Sequence, residues 1–142
     1  MTDKQALGQI LTFYSYKGGT GRSMALANVG YILATDASRR ARTALLIDWD
    51  LEAPGLHHFF PESSPPVGGP SARGTQSGLI DFFEAVQAAY DTLARRDTTA
   101  DAAEDLLRIR ASILADLPNY IVRTSVPNLL LMLAGRFDDN AA

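Results

Sequence analysis

Three glycines in four positions, Gly18, Gly19 and Gly21, stand between an apolar run and a helical pattern. Upstream lies Ile10-Leu11-Thr12-Phe13-Tyr14, which reads as a buried strand over residues 10–16. Downstream, Leu26, Val29, Gly30 and Leu33 fall at i, i+3, i+4 and i+7, which predicts a helix over residues 22–36. The glycines let the backbone take positive φ and bring its N–H groups close to an anion. The following helix points the positive end of its dipole at the same place. Successive N–H groups then form a nest for a polyphosphate. Arg22 and Ser23 follow the last glycine, a cation for phosphate oxygens and a hydroxyl placed to join the shell of a phosphate-bound Mg²⁺. A turn without a ligand requires neither.

A second strand is expected over residues 43–47, Thr43-Ala44-Leu45-Leu46-Ile47, apolar throughout as in a parallel strand covered on both faces. It ends in Asp48-Trp49-Asp50, where alternation puts both carboxylates on one side of the chain and Trp49 on the other. Ligands of doubly wound sheets sit beyond the carboxyl ends of the strands, where these acids fall. A Mg²⁺–phosphate complex needs oxygen ligands there, because the ion prefers them and keeps several waters.

The loop Tyr16-Lys17-Gly18-Gly19-Thr20-Gly21-Arg22-Ser23 departs from G-x-x-x-x-G-K-[ST] at two positions, with Tyr16 for the first glycine and Arg22 for the lysine, and it carries an early lysine, Lys17. In this form it resembles the deviant phosphate loop of the ParA/MinD-type ATPases, the group that includes nitrogenase iron protein. Leu45-Leu46-Ile47-Asp48-Trp49-Asp50-Leu51-Glu52-Ala53-Pro54-Gly55 is similar to that family's second motif, a strand ending Asp-x-Asp before a Pro/Gly turn. The two motifs together look like a bacterial subgroup of regulatory NTPases often joined to or accompanied by tetratricopeptide repeats, of which this sequence shows none. The resemblance implies an α/β, three-layer P-loop NTPase fold with a mostly parallel sheet, and a switch that binds ATP and Mg²⁺. It implies that Lys17, Gly18, Gly19, Thr20, Gly21, Arg22, Ser23 and Met24 hold the nucleotide, and that Lys17 reaches the phosphates of a partner protomer in an ATP-dependent homodimer. Asp48, through water, and Ser23 would hold Mg²⁺, and Asp50 would orient or activate the attacking water. A regulatory protein partner, with tetratricopeptide-repeat proteins as one candidate, would read the switch. ATP rather than GTP follows from the resemblance alone.

Along the rest of the chain, Arg39, Arg40 and Arg42 read as a solvated helix end. His57 and His58, being adjacent, should point in different directions and share no metal. Residues 61–78, rich in proline, glycine and serine, read as a mobile loop without a core. Helices follow over residues 78–95, with a stripe of Leu79, Phe82, Phe83, Val86 and Tyr90, and over residues 100–117, with Leu106, Leu107, Ile109, Ile113, Leu114 and Leu117. Both stripes are expected to be core, and Pro118 is expected to stop the third helix. A short edge strand is expected at residues 120–123 and a buried strand at residues 128–135. No strand ending in aspartate follows, and Asp138-Asp139 lie in a polar stretch. Residues 1–142 are therefore expected to be the N-terminal part of one P-loop domain, without its second switch and base-reading elements.

At 142 residues, 46% hydrophobic and with a net charge of −3, the chain has the composition of one ordinary domain and no basic field for nucleic acid. There is no cysteine, which removes disulfides and thiol chemistry. No stretch has the apolar length of a membrane span or a signal peptide, so a cytoplasmic location is expected. Three readings stay open: an ATP-hydrolysing dimerisation switch, a nucleotide-binding regulatory module with little or no turnover, and a small-molecule kinase.

Overall fold

The computed structural model describes residues 8–36, 43–60, 67, 77–95 and 102–135. Residues 1–7, the arginines at 39, 40 and 42, nearly all of the 61–78 loop, and Asp138-Asp139 lie outside them. The elements run α1 (Arg22–Thr35), β1 (Ala44–Ile47), α2 (Leu79–Ala94), α3 (Ala102–Asp116), β2 (Val122–Arg123) and β3 (Leu129–Met132), with 3₁₀ turns at Leu56–Phe59 and Leu117–Tyr120. Mixed α/β architecture is thus observed: three helices and a small mixed sheet among the described residues.

The sheet order is β1-β3-β2. β1 runs parallel to β3, with Ala44 opposite Leu129 and Ile47 opposite Met132. β2 pairs antiparallel, Val122 opposite Leu131. The β2–β3 turn is tight because Asn128 accepts a left-handed φ of 62°, a conformation that asparagine tolerates better than branched residues. Within it the Thr124 hydroxyl lies 3.0 Å from the Leu129 carbonyl and accepts the Val126 N–H at 3.1 Å.

β3 alternates between two clusters. Leu129 and Leu131 pack with Ala27, Ala34, Leu46, Leu56, Phe60 and Val122. Met132 joins Leu79 and Ile121, with Leu130 against them. The strand is therefore covered on both faces, and each fully buried leucine contributes about 2 kcal/mol of apolar burial. α1 approaches the sheet with its small residues, Ala27, Gly30 and Ala34. A Cβ on Gly30 would lie 2.5 Å from a Leu46 methyl, so that glycine sets the spacing of α1 over β1.

Three expectations are corrected here. Residues 10–16 form no strand: Ile10 is 95% and Tyr14 73% exposed, and no backbone hydrogen bond ties residues 9–14 to another described residue. Apolar patterning gives a segment strand propensity, but a strand also needs a neighbour for its ladder, and β1 is the edge of the described sheet. Nor is β1 covered on both faces: Leu46 is buried under α1, while Leu45 and Ile47 on the other face remain exposed. The α2 and α3 stripes are only partly core. Phe82, Val86 and Leu93 on α2, with Ile109, Ile113 and Leu117 on the α3 side, are half-buried where the helices meet. Phe83, Tyr90, Leu106, Leu107 and Leu114 are exposed, because a two-helix hairpin covers one side of each helix only. Pro118 stops α3 as expected: the α-helix ends at Asp116, and the proline sits in the first turn of the 3₁₀ segment that follows, where its missing N–H costs nothing.

α2 is docked by its first turn. The Leu79 N–H donates to the Leu133 carbonyl at 2.7 Å and the Ile80 N–H to the Ala134 carbonyl at 3.0 Å. The Gly78 N–H donates to Asp81 Oδ2 at 2.8 Å, half of a capping box, since Gly78 has no side chain with which to reciprocate.

Candidate functional site

The glycine loop opens α1. Gly19 and Gly21 both adopt left-handed φ, 72° and 81°, which an L side chain resists. Gly21 is the residue before the helix, and its carbonyl takes the Ala25 N–H at 2.9 Å. The N–H groups of Arg22, Ser23 and Met24 have no intrahelical acceptor, and no side chain caps them. The first turn of α1 carries no acidic residue either, so nothing in it offsets the positive end of the dipole. Donors and dipole are therefore presented together to whatever anion approaches the loop.

The loop is braced from within by two hydroxyls. Ser15 Oγ and Thr20 Oγ1 lie 2.8 Å apart, and both face the Lys17 carbonyl, at 2.9 and 3.3 Å. Sequence reasoning missed Ser15; a hydroxyl on each side of a glycine turn was the available signal. Lys17 and Tyr16 are exposed, and Lys17 has no ion-pair partner among the described residues.

Arg22 joins the loop to the end of β1. Its Nη2 lies 3.3 Å from Asp50 Oδ2, and its Nη1 donates to the Ser15 carbonyl at 3.4 Å. Both side chains of the pair are about one-third exposed, 36% and 34%. Asp50 Oδ1 accepts the Ala53 N–H at 3.2 Å. The loop cation and one of the two strand-end acids are thus brought together.

The other acid does something different. Asp48 is 4% exposed. Its Oδ2 accepts the N–H groups of Gly55 (3.2 Å) and Leu56 (3.0 Å), and its Oδ1 that of Asp50 (3.3 Å). A carboxylate holding three N–H groups is satisfied without a counter-cation, and it fixes the turn over residues 49–56. The two acids therefore have separate partners. Trp49 lies outside, its ring 5.7 Å from that of Phe83 and nearly perpendicular to it, so it links the strand end to α2. Phe82, also on α2, meets Tyr120 of the second 3₁₀ turn edge-on, with ring centroids 5.4 Å apart. The strand-end tryptophan was visible in the sequence; its partner on α2 was not.

Ser23 is half-buried in the first turn of α1 and makes no hydrogen bond with either acid. The donor set fits a polyphosphate. For Mg²⁺, Ser23 offers a direct oxygen, while Asp48 offers one only through water, because both of its oxygens already serve the turn. No cluster of three or more His, Cys, Asp or Glu suited to a metal occurs among the described residues, and an ion held chiefly by phosphate and water does not need one. His57 and His58 do not diverge as expected: their rings lie 3.9 Å apart. No helix among the described residues is long and apolar enough to cross a membrane. Compared with family models, curated proteins and solved structures, the chain matches none.

Proposed function

We propose that residues 17–24 grip the phosphates of ATP, and that the intact protein is a ParA/MinD-like switch that dimerises over Mg-ATP and regulates a protein partner. The carrying observation is the uncapped start of α1 behind two left-handed glycines, with Arg22 and Ser23 in its first turn. In this reading the amides of residues 18–24 bind and orient the phosphates, and Arg22 neutralises their charge. Ser23 supplies a hydroxyl to Mg²⁺ and Asp48 holds a water of its shell; the ion when bound offsets charge between phosphate groups. Asp50 orients the water that attacks the terminal phosphate. Lys17, exposed at the loop's outer edge, serves the phosphates of the second protomer. The three-layer P-loop fold belongs to the same proposal.

Lys17→Ala separates this reading from a passive nucleotide site. In the intact polypeptide with Mg-ATP, light scattering should show the mass doubling for the native protein and not for the variant. Turnover should fall on the order of 10³-fold, the scale of a cation supplied in trans. Unchanged mass and unchanged turnover would reject the switch.

A second reading, nucleotide binding with little or no turnover, is favoured by one observation: both oxygens of Asp50 are already engaged, one by Arg22 and one by the Ala53 N–H, rather than left to a water. Arg22→Lys decides between them. A compact ammonium carries the same charge without the guanidinium fork, so a large gain in hydrolysis with lysine supports the sensor, and native hydrolysis that already depends on Asp50 supports the enzyme.

A further inference from the structure

Arg22 occupies the first position of α1, the end of a helix where a cation is least favourable. It stays there because an anion faces it. In the structure that anion is Asp50, met by one guanidinium nitrogen at 3.3 Å rather than by a bidentate fork. Such a contact, one-third exposed on each side, is of the weak sort. The same guanidinium is the loop's own cation for phosphate oxygens, and it cannot lie along the Asp50 carboxylate and fork onto a phosphate at once. We propose that Asp50 competes with phosphate for Arg22: the pair is an internal latch, and a polyphosphate that enters the loop draws Arg22 away and frees the Asp50 carboxylate. The proposal rests on the phosphate-binding reading of the loop. It adds that affinity is held down by the chain's own acid, and that Asp50 becomes available only when the loop is filled. The Ala53 N–H at 3.2 Å from Oδ1 keeps Asp50 in place after Arg22 leaves.

Asp50→Asn is the clean test. The amide oxygen keeps the Ala53 hydrogen bond while the charge is lost. Binding to the intact polypeptide is measured by calorimetry with inorganic tripolyphosphate and with a non-hydrolysable ATP analogue, so that blocked turnover cannot mimic tighter binding. Asp50→Asn should bind about three- to fivefold more tightly, the span expected for release from a part-exposed ion pair, and the gain should shrink in high salt. The same substitution is then made on an Arg22→Gln background, where the gain should vanish. Equal or weaker binding by Asp50→Asn overturns the latch. So does a gain that persists without Arg22, which would show simple repulsion between Asp50 and the ligand. If the native chain and both variants take up neither probe, the phosphate reading itself has failed; if the native chain binds and Asp50→Asn gains nothing, only the latch has.

Discussion

Gly78→Ala should destabilise the fold more than any other single-methyl addition in the described structure. A Cβ at that position would lie 2.4 Å from the Leu133 carbonyl oxygen, 2.8 Å from the Gly135 nitrogen and 2.9 Å from the Leu133 carbonyl carbon. All three are backbone atoms, so no side chain can swing aside. The φ of −137° is open to any residue, and the requirement is space, not torsion. To admit the methyl, the start of α2 must retreat from the end of β3. That retreat strains the bonds from Leu79 to Leu133 and from Ile80 to Ala134. Overpacking together with two weakened hydrogen bonds amounts to about 3–5 kcal/mol. Chemical denaturation read by far-UV circular dichroism measures it, and Gly55→Ala, where an added Cβ meets nothing within 4 Å, serves as the neutral comparison. A Gly78→Ala variant as stable as the Gly55→Ala protein would mean that α2 is not docked on β3 in this way.

Asp48→Ala should be the second large loss. It leaves the N–H groups of Asp50, Gly55 and Leu56 without their acceptor. Leu56 is 1% exposed, so water does not replace the lost bond there. Hydrogen bonds to a carboxylate are worth more than neutral ones, and an unsatisfied buried donor costs about 1–3 kcal/mol. Relief of the carboxylate's own desolvation offsets part of this. A net loss of about 2–3 kcal/mol is expected, or roughly 5–10 °C in Tm for a chain of this size. The loss should appear whether or not nucleotide is present. An acid whose only task was to hold Mg²⁺ would behave oppositely: its removal would leave the free protein as stable and weaken only the metal complex.

What the sequence discloses and what it withholds divide along the range of the interactions involved. Helix limits depend on neighbouring residues, and α1, α2 and α3 each fall within two residues of the expected bounds. β3 and the short edge strand were legible because their apolar runs are bounded by Pro118, Pro127 and Gly135. The run at residues 10–14 was misread because patterning reports suitability for a sheet and is blind to whether a partner lies alongside. The exposed faces of α2 and α3 were misread for a related reason: a stripe says which side is apolar, while the number of layers above it is a tertiary fact. At the candidate site, the glycines, Arg22 and the two acids were all legible. Their division of labour was not. Asp48 and Asp50 look equivalent two residues apart, yet one is drawn into the turn by three backbone donors and the other meets the arginine. Only the path of residues 51–56 decides that, and turn chemistry around Pro54 and Gly55 does not announce where the amides will point.

The central claim is that the amides between residues 18 and 24 exist to bind a triphosphate. Isothermal titration of the intact polypeptide with Mg-ATP tests it most directly, alongside a protein in which Gly19 and Gly21 are both replaced by valine. Those glycines hold φ of 72° and 81°, and a branched side chain closes that conformation. Saturable binding by the native chain, lost in the double variant, is the predicted result. No saturable heat with the native chain, or binding that survives the two valines, would contradict it.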